Sequence, residues 1–152
     1  MSHFTLILDP AGNGPIIVAM VGVSGPRGVA LIAAGVAMPP VVPIRCLVDT
    51  GASITCIDPI ILIGSLGLDV KTQMPCLTPT TGAAPEMKDV YDVSLQIYAT
   101  SVGEPFLEES TLAVMASDLF AAQGIHALIG RDILAKCFLM YNGAAKHFTM
   151  GF

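Results

Sequence analysis

An aspartate in a short turn is the residue of this sequence best suited to chemistry. Two apolar residues lead into Asp49-Thr50-Gly51, and the small residues Ala52 and Ser53 follow. An apolar strand ending here would place a carboxylate at the rim of a core, and Gly51 would let the chain turn sharply. A carboxylate at the edge of an apolar cleft can serve acid–base chemistry. Taken alone, the same three residues are also typical of a plain surface turn.

The segments around this turn are predicted to be mainly strands. Alternating or apolar runs bounded by Gly, Pro, Asn and Asp predict strands at 4–8, 15–23, 29–42, 44–48, 90–97, 111–115, 138–141 and 147–152. A helical turn is expected near 60–66, and a short helix is expected from Asp132 onward. The fold class is therefore all-β, mainly β with one or two short helices.

The bulk composition bounds the class of protein. The chain has 152 residues, 53% of them hydrophobic and 12% charged, which suits one domain with an extensive core and a buried subunit interface. A net charge of −5 without a basic run argues against a nucleic-acid partner. The most apolar stretch, 29–42, is too short to span a bilayer and is broken by Gly and Pro, so membrane association is not expected. No Lys/Arg-led apolar segment opens the chain, which favours a cytoplasmic location.

The cysteines and histidines give no metal or cofactor pattern. The four cysteines have no CxxC spacing, and the three histidines are scattered without helical metal-ligand spacing. We therefore expect free, buried thiols in a reducing compartment, with no metal and no cofactor.

A second motif lies about eighty residues after Asp49. Leu128-Ile129-Gly130-Arg131-Asp132 joins two apolar residues to Gly-Arg-Asp. With the Asp-Thr-Gly turn, it resembles the paired signatures of the retropepsin-like (retroviral-type) aspartic proteases, in the cellular or bacterial branch. The resemblance covers about residues 16–152 and implies a closed β-barrel lobe. It also implies a single domain over 1–152 with an insertion at 25–42, and a Gly130 that lets two backbones approach closely beneath the turn.

The resemblance also implies a flap and shows one departure. Residues 78–85 are rich in Pro, Thr and Gly and precede a strand, as a flap does. Substrate contacts are then expected from Ala52 and Ser53 in the turn and from the flap residues Thr80, Thr81, Gly82 and Ala83. Many retroviral members carry an acid where this chain has Ser53, so Arg131 needs another partner.

A single Asp-Thr-Gly supplies only one of the two carboxyls that an aspartic protease needs for peptide hydrolysis. Water attack on a peptide needs one ionised and one protonated carboxyl, and two carboxyls held close share a proton. A twofold homodimer that brings two Asp49 side chains together is the simplest solution. The resemblance implies that Asp49 is catalytic, that Thr50 and Gly51 support it, and that the substrate is a peptide or protein. Strands 4–8 and 148–152 are candidates for a sheet shared between subunits.

Several residues have simpler interpretations. Asp132 is expected to be a structural N-cap of the short helix, and Arg131 a structural ion-pair or carbonyl partner, although a contact with substrate stays open. Two other functions also stay open for the whole chain. One is a catalytically silent dimerisation or peptide-binding module, and the other is an interaction or membrane-associated protein that uses 29–42.

Overall fold

The chain folds into a closed barrel with a small accompanying sheet. The computed structural model describes residues 2–12, 14–78, 81–99, 104–119 and 121–152. Within them lie β1 (His3–Ile7), β2 (Ile16–Val23), α1 (Gly25–Ala33), β3 (Val42–Val48), β4 (Cys56–Ile57), a π-helical segment (Ile60–Ser65), β5 (Thr72–Cys76), β6 (Glu86–Tyr98), β7 (Leu107–Ala116), a 3₁₀ turn (Ala121–Gln123), β8 (Ala127–Ile129), α2 (Arg131–Leu134), β9 (Phe138–Asn142) and β10 (His147–Gly151). The prediction of a mainly β fold with short helices is confirmed.

Six strands close the barrel in the order β2-β3-β8-β4-β7-β6, and β6 returns to pair with β2. The pairs β3–β8 and β4–β7 are parallel, and the other pairs in the ring are antiparallel. Alternate residues point inward, as a half-buried strand requires: Val93, Leu95 and Ile97 of β6 are fully buried, whereas the residues between them are half-buried. The expected closed barrel is thus present, and β5 extends it as a hairpin with the first half of β6.

The chain termini form a separate three-stranded sheet, in the order β1-β10-β9. Phe4 pairs with Met150, and the Thr5 and Thr149 hydroxyls lie 2.8 Å apart across β1 and β10. Strands 4–8 and 148–152, the candidates for a sheet between subunits, pair with each other within one chain. The outer edge of β1 is not paired with any described strand. Because β1 and β9 occupy both edges of β10, this strand has no free edge for a second subunit.

The strand predicted at 29–42 is wrong, because its first part belongs to α1. Pro26 lies in the first helical turn, where a missing N–H is tolerated, and an alanine-rich run follows. Gly35, at φ +67°, ends the helix: its N–H donates to Ile32 O (3.0 Å), and the Val36 N–H donates to Leu31 O (2.9 Å). Between β2 and β3, where an insertion at 25–42 was expected, the chain forms α1 and then a segment without regular secondary structure at 36–41, and residue 42 begins β3. Among the described helices, none combines the length and apolar character needed to cross a bilayer.

Two other predictions concern the segments beside the barrel. The helical turn expected near 60–66 is present as the π-helical segment. The stretch 74–87, interpreted as turn-rich, is more ordered than expected: its ends belong to β5 and β6, and the connection runs from 77 to 85. Residues 79 and 80 of this connection lie outside the described residues.

Candidate active site

The Asp49 turn is held between two strands that flank a third. β3 runs into the turn, and β4 leaves it on the other side of β8. Val48 pairs with Ile129 in the parallel ladder, and Cys56 pairs with Leu128 in the antiparallel one. The Asp49 N–H continues the first ladder by donating to Ile129 O (3.0 Å). Both predicted motifs are therefore in direct contact.

The Asp49 carboxylate is oriented by its own turn. The Gly51 N–H donates to Oδ1 (2.8 Å), and the Ala52 N–H donates to the Asp49 carbonyl (3.2 Å). A Cβ on Gly51 would lie 3.0 Å from Oδ1, which is tighter than an ordinary contact. The side chain is half-buried, and among the described residues only Gly51 donates to its carboxylate. The turn therefore fixes one oxygen of the carboxylate, while Oδ2 accepts no hydrogen bond from the described residues.

At Gly130 the backbone approaches the backbone of Ile54 and Thr55 closely, as expected for the glycine of the second motif. A Cβ on it would lie 2.5 Å from the Ile54 carbonyl carbon and 2.9 Å from Thr55 N. Because its φ is −89°, an angle that any residue adopts, the need for glycine is steric.

Arg131 finds its partners in backbone carbonyls. Its Nη1 donates to Thr50 O (2.9 Å) and to Gly51 O (3.3 Å), and its N–H donates to Ala52 O (2.9 Å). The guanidinium thus caps the turn from outside, in place of the ion pair that an acid at position 53 would give. Of the two structural roles expected for Arg131, ion pair and carbonyl partner, the described residues show the carbonyl partner.

Asp132 does not cap α2, contrary to the prediction. Gly130 is the N-cap residue, and Asp132 lies in the first turn. Its Oδ2 accepts from Thr55 N (2.9 Å), and its Oδ1 accepts from the Thr55 hydroxyl (2.8 Å) and from Ile133 N (2.9 Å). The carboxylate therefore faces the end of the Asp49 turn.

Thr55 is the site residue that sequence reasoning missed. It is fully buried, and its hydroxyl also accepts from the Gly130 N–H (3.1 Å). A buried hydroxyl six residues after Asp49 carries no signal in the sequence, because its partners come from the second motif.

The predicted substrate-contacting residues are placed in two groups. In the turn, Thr50 and Ser53 are exposed and Ala52 is half-buried. In the β5–β6 connection, the Thr81 hydroxyl donates to Thr78 O (3.0 Å), Gly82 has φ +64°, and Ala83 is exposed. Thr80 lies outside the described residues. Across the described part of the chain, no hydrogen bond joins Thr81, Gly82 or Ala83 to the Asp49 turn.

Cys56 is a buried thiol close to the Asp49 turn. Its pKa is raised to about 11, chiefly by burial and then, in decreasing order, by Cys76, Asp132 and Asp49. Burial also raises the pKa of Cys46, which is fully buried. All four cysteines lie within the described residues, and all are free. Because Cys46 and Cys56 are protonated at neutral pH, neither is prepared to act as a nucleophile.

Two hollows border these elements. One of about 290 Å³ lies beside the turn and is lined by Thr50, Arg131, Leu134, Ala135 and Leu139. The other, of about 280 Å³, is more polar and lies between the β5–β6 hairpin and the end of β7, with Lys88 and Asp118 in its wall. The first adjoins Asp-Thr-Gly directly and is mostly apolar.

Among the described residues, no group of three or more His, Cys, Asp or Glu side chains is placed so that it could hold a metal ion. No protein-family model matches the chain, and no curated protein matches it either.

Proposed function

We propose that this chain is an aspartic endopeptidase of retropepsin-like type, active as a homodimer in which each copy contributes Asp49. The observation that carries the proposal is the turn itself. A half-buried carboxylate follows an apolar strand, accepts the Gly51 N–H at 2.8 Å, and lies on the Gly130 crossing that the family resemblance implies.

The proposed reaction divides its roles between two identical carboxyls. The ionised Asp49 of one copy takes a proton from water, and the protonated Asp49 of the other donates a hydrogen bond to the scissile carbonyl. Water then adds to the carbonyl carbon, a proton passes to the amide nitrogen, and the C–N bond breaks. The pair titrates as one unit, so its pH dependence belongs to both copies together.

The apolar surface beside the turn is suited to contact with a second copy of the chain. Thr50 is exposed at the edge of the 290 Å³ hollow, whose lining is apolar apart from Thr50 and Arg131. A copy placed over this hollow would cover Leu134 and Leu139 and bring a second Asp-Thr-Gly turn beside the first. Thr50 would then be able to hydrogen-bond across the dimer axis.

A silent dimerisation or peptide-binding module is the second candidate, and one observation favours it. The terminal strands pair inside one chain and leave β10 without a free edge. A dimer that keeps this pairing can extend the sheet only at its edge strands β1 or β9, which gives fewer contacts to hold the two turns face to face than strands exchanged between the copies would give. A folded protein that binds peptides without cleaving them would be the result.

Digestion of a peptide library at acidic and neutral pH separates these functions. Wild type should cleave, whereas Asp49→Asn should keep its fold and lose cleavage. Equal cleavage by both proteins would reject Asp49 as the catalytic acid. Binding without cleavage by both would establish the module.

A further inference from the structure

The turn that carries Asp49 is fastened at its far end by a carboxylate that the proposed chemistry does not use. Asp132 accepts both polar hydrogens of Thr55, from the backbone N–H at 2.9 Å and from the hydroxyl at 2.8 Å. Thr55 has no exposed surface, so neither of its hydrogens can turn to solvent instead.

The Thr55 hydroxyl both accepts and donates a hydrogen bond in this arrangement. It accepts the Gly130 N–H at 3.1 Å and donates its own hydrogen to Asp132 Oδ1. A hydroxyl offers one donor, so the atom facing it at Asp132 must be an acceptor. The Thr55 N–H likewise requires an acceptor at Oδ2. Only a side chain with two acceptor oxygens satisfies both groups at once.

These contacts hold the turn at three points along one short stretch of chain. Asp49 N–H binds Ile129 O at its start, Ala52 O accepts the Arg131 N–H in its middle, and Thr55 binds Asp132 at its end. The contact between Thr55 and Asp132 is thus the last of three attachments of the segment that carries Asp49.

We propose that Asp132 is a positioning residue, which acts through the Thr55 hydroxyl to fix the orientation of the Asp49 carboxylate; the proposal rests on the proposed peptidase function. A misplacement of about 1 Å at a reacting group can lower a rate on the order of a hundredfold. The exposed Arg131 guanidinium shapes the outside of the same turn, whereas Asp132 sets its inner end.

Three substitutions test this proposal. Thr55→Val keeps the shape and removes the hydroxyl, whereas Thr55→Ser keeps the hydroxyl. Asp132→Asn is nearly isosteric but presents one amide NH₂, which leaves either the Thr55 hydroxyl hydrogen or the Thr55 N–H without an acceptor. We expect Thr55→Val and Asp132→Asn to lower kcat about tenfold or more with KM within about twofold, and Thr55→Ser to retain most of kcat.

Two further readouts separate positioning from general stability. The urea midpoint gives the folded fraction, so that kcat can be referred to folded protein. Hydrogen exchange at Ala52 and Arg131 should accelerate about tenfold in Thr55→Val, whereas the central β6 amides should keep their protection. Unchanged kcat in folded Thr55→Val and Asp132→Asn, or an equal loss in Thr55→Ser, would overturn the proposal.

The exchange measurement also keeps this proposal distinct from the proposed function. If wild type cleaves no peptide, the peptidase proposal fails, and turn exchange alone decides the positioning role. If the Ala52 and Arg131 amides exchange as in wild type, Asp132 does not fix the turn, whatever the activity.

Discussion

Gly130 and Ile54 lie so close that a Cβ on Gly130 would stand 2.5 Å from the Ile54 carbonyl carbon. The neighbour is backbone, so it cannot move aside as a flexible side chain does. Gly130→Ala should therefore lower the free energy of unfolding by about 3 kcal/mol, through steric overlap. Urea unfolding measures this loss, and peptidase activity should fall with it because the Asp49 turn must shift.

Gly64→Ala is the matched control for that substitution. Gly64 lies in the π-helical segment, and its Cβ would meet only Ile60 Cγ1 at 3.6 Å, an ordinary contact. This variant should be neutral or up to about 1 kcal/mol more stable. If both variants lose the same stability, the close crossing at Gly130 is not the cause.

Arg131→Gln should disturb the conformation of the Asp49 turn more than it lowers the free energy of unfolding. It removes the Nη1 contacts to Thr50 O and Gly51 O, and because the guanidinium is exposed we expect a loss of only about 1 kcal/mol in unfolding free energy. The activity per folded molecule should fall further than this stability loss explains. Arg27→Gln, which breaks the exposed pair with Asp69 (3.0 Å), should leave activity unchanged. Equal activity in the two variants would contradict the role given to Arg131.

The sequence predicted the contact between the Asp49 turn and the second motif, but it did not predict the contacts around them, and the difference has a physical reason. Residues 47–53 and 128–132 are defined by local requirements, namely an apolar strand end, a tight turn and a backbone crossing, which few residue types satisfy. The structure accordingly brings Asp49 N–H onto Ile129 O. The Asp132–Thr55 contact was not predictable, because it joins residues 77 positions apart and neither has a local signature for the other.

The strand predicted where α1 lies is wrong because Gly and Pro can bound a strand as well as cap a helix. The sequence predicts a strand over 29–42 because this run is apolar and is bounded by Gly and Pro. In the structure Pro26 opens a helix and Gly35, at φ +67°, closes it. The periodicity of a short apolar run does not distinguish a strand from a helix. Here the helix is indicated by the residues at its two ends, a Pro in the first turn and a Gly just after the last turn.

Ala135→Arg tests whether the apolar hollow beside Thr50 faces a second copy. Ala135 is exposed and lines that hollow with Arg131, so a second cation there adds bulk and like charge to the proposed interface. The dissociation constant of the dimer should rise about tenfold or more, and activity should recover at high protein concentration. Sedimentation equilibrium measures the first effect, and activity against concentration measures the second.

Ala33→Arg provides the control on another exposed helix. Ala33 ends α1, which carries the exposed side chains Val29 (70%) and Ile32 (69%). If Ala33→Arg disrupts self-association and Ala135→Arg does not, the α1 surface is the interface, and the proposed arrangement of the active dimer is wrong.

The buried thiols predict how stability changes in alkaline solution. The folded pKa of Cys56 is raised from 9.0 to about 11, so stability from this thiol is complete below about pH 9 and is lost as pH rises toward 11. Burial acts in the same direction on Cys46. Each thiol can contribute a slope of up to about 1.4 kcal/mol per pH unit in that window.

Urea midpoints of wild type and Cys56→Ala across this range test the prediction. The variant should show a shallower loss of stability between about pH 9 and 11, whereas the two slopes should agree below pH 9. Equal slopes above pH 9 would show that Cys56 is not protected in the folded state.

The central claim is that two copies of Asp49 form one active site, and mixing wild type with Asp49→Asn tests it most directly. Equal amounts, allowed to exchange subunits, give about one quarter wild-type dimers by random pairing, so activity per wild-type chain should fall to about half. With excess variant it should fall toward zero. Activity per wild-type chain that stays constant at every ratio, with subunit exchange demonstrated by mass, would contradict the account.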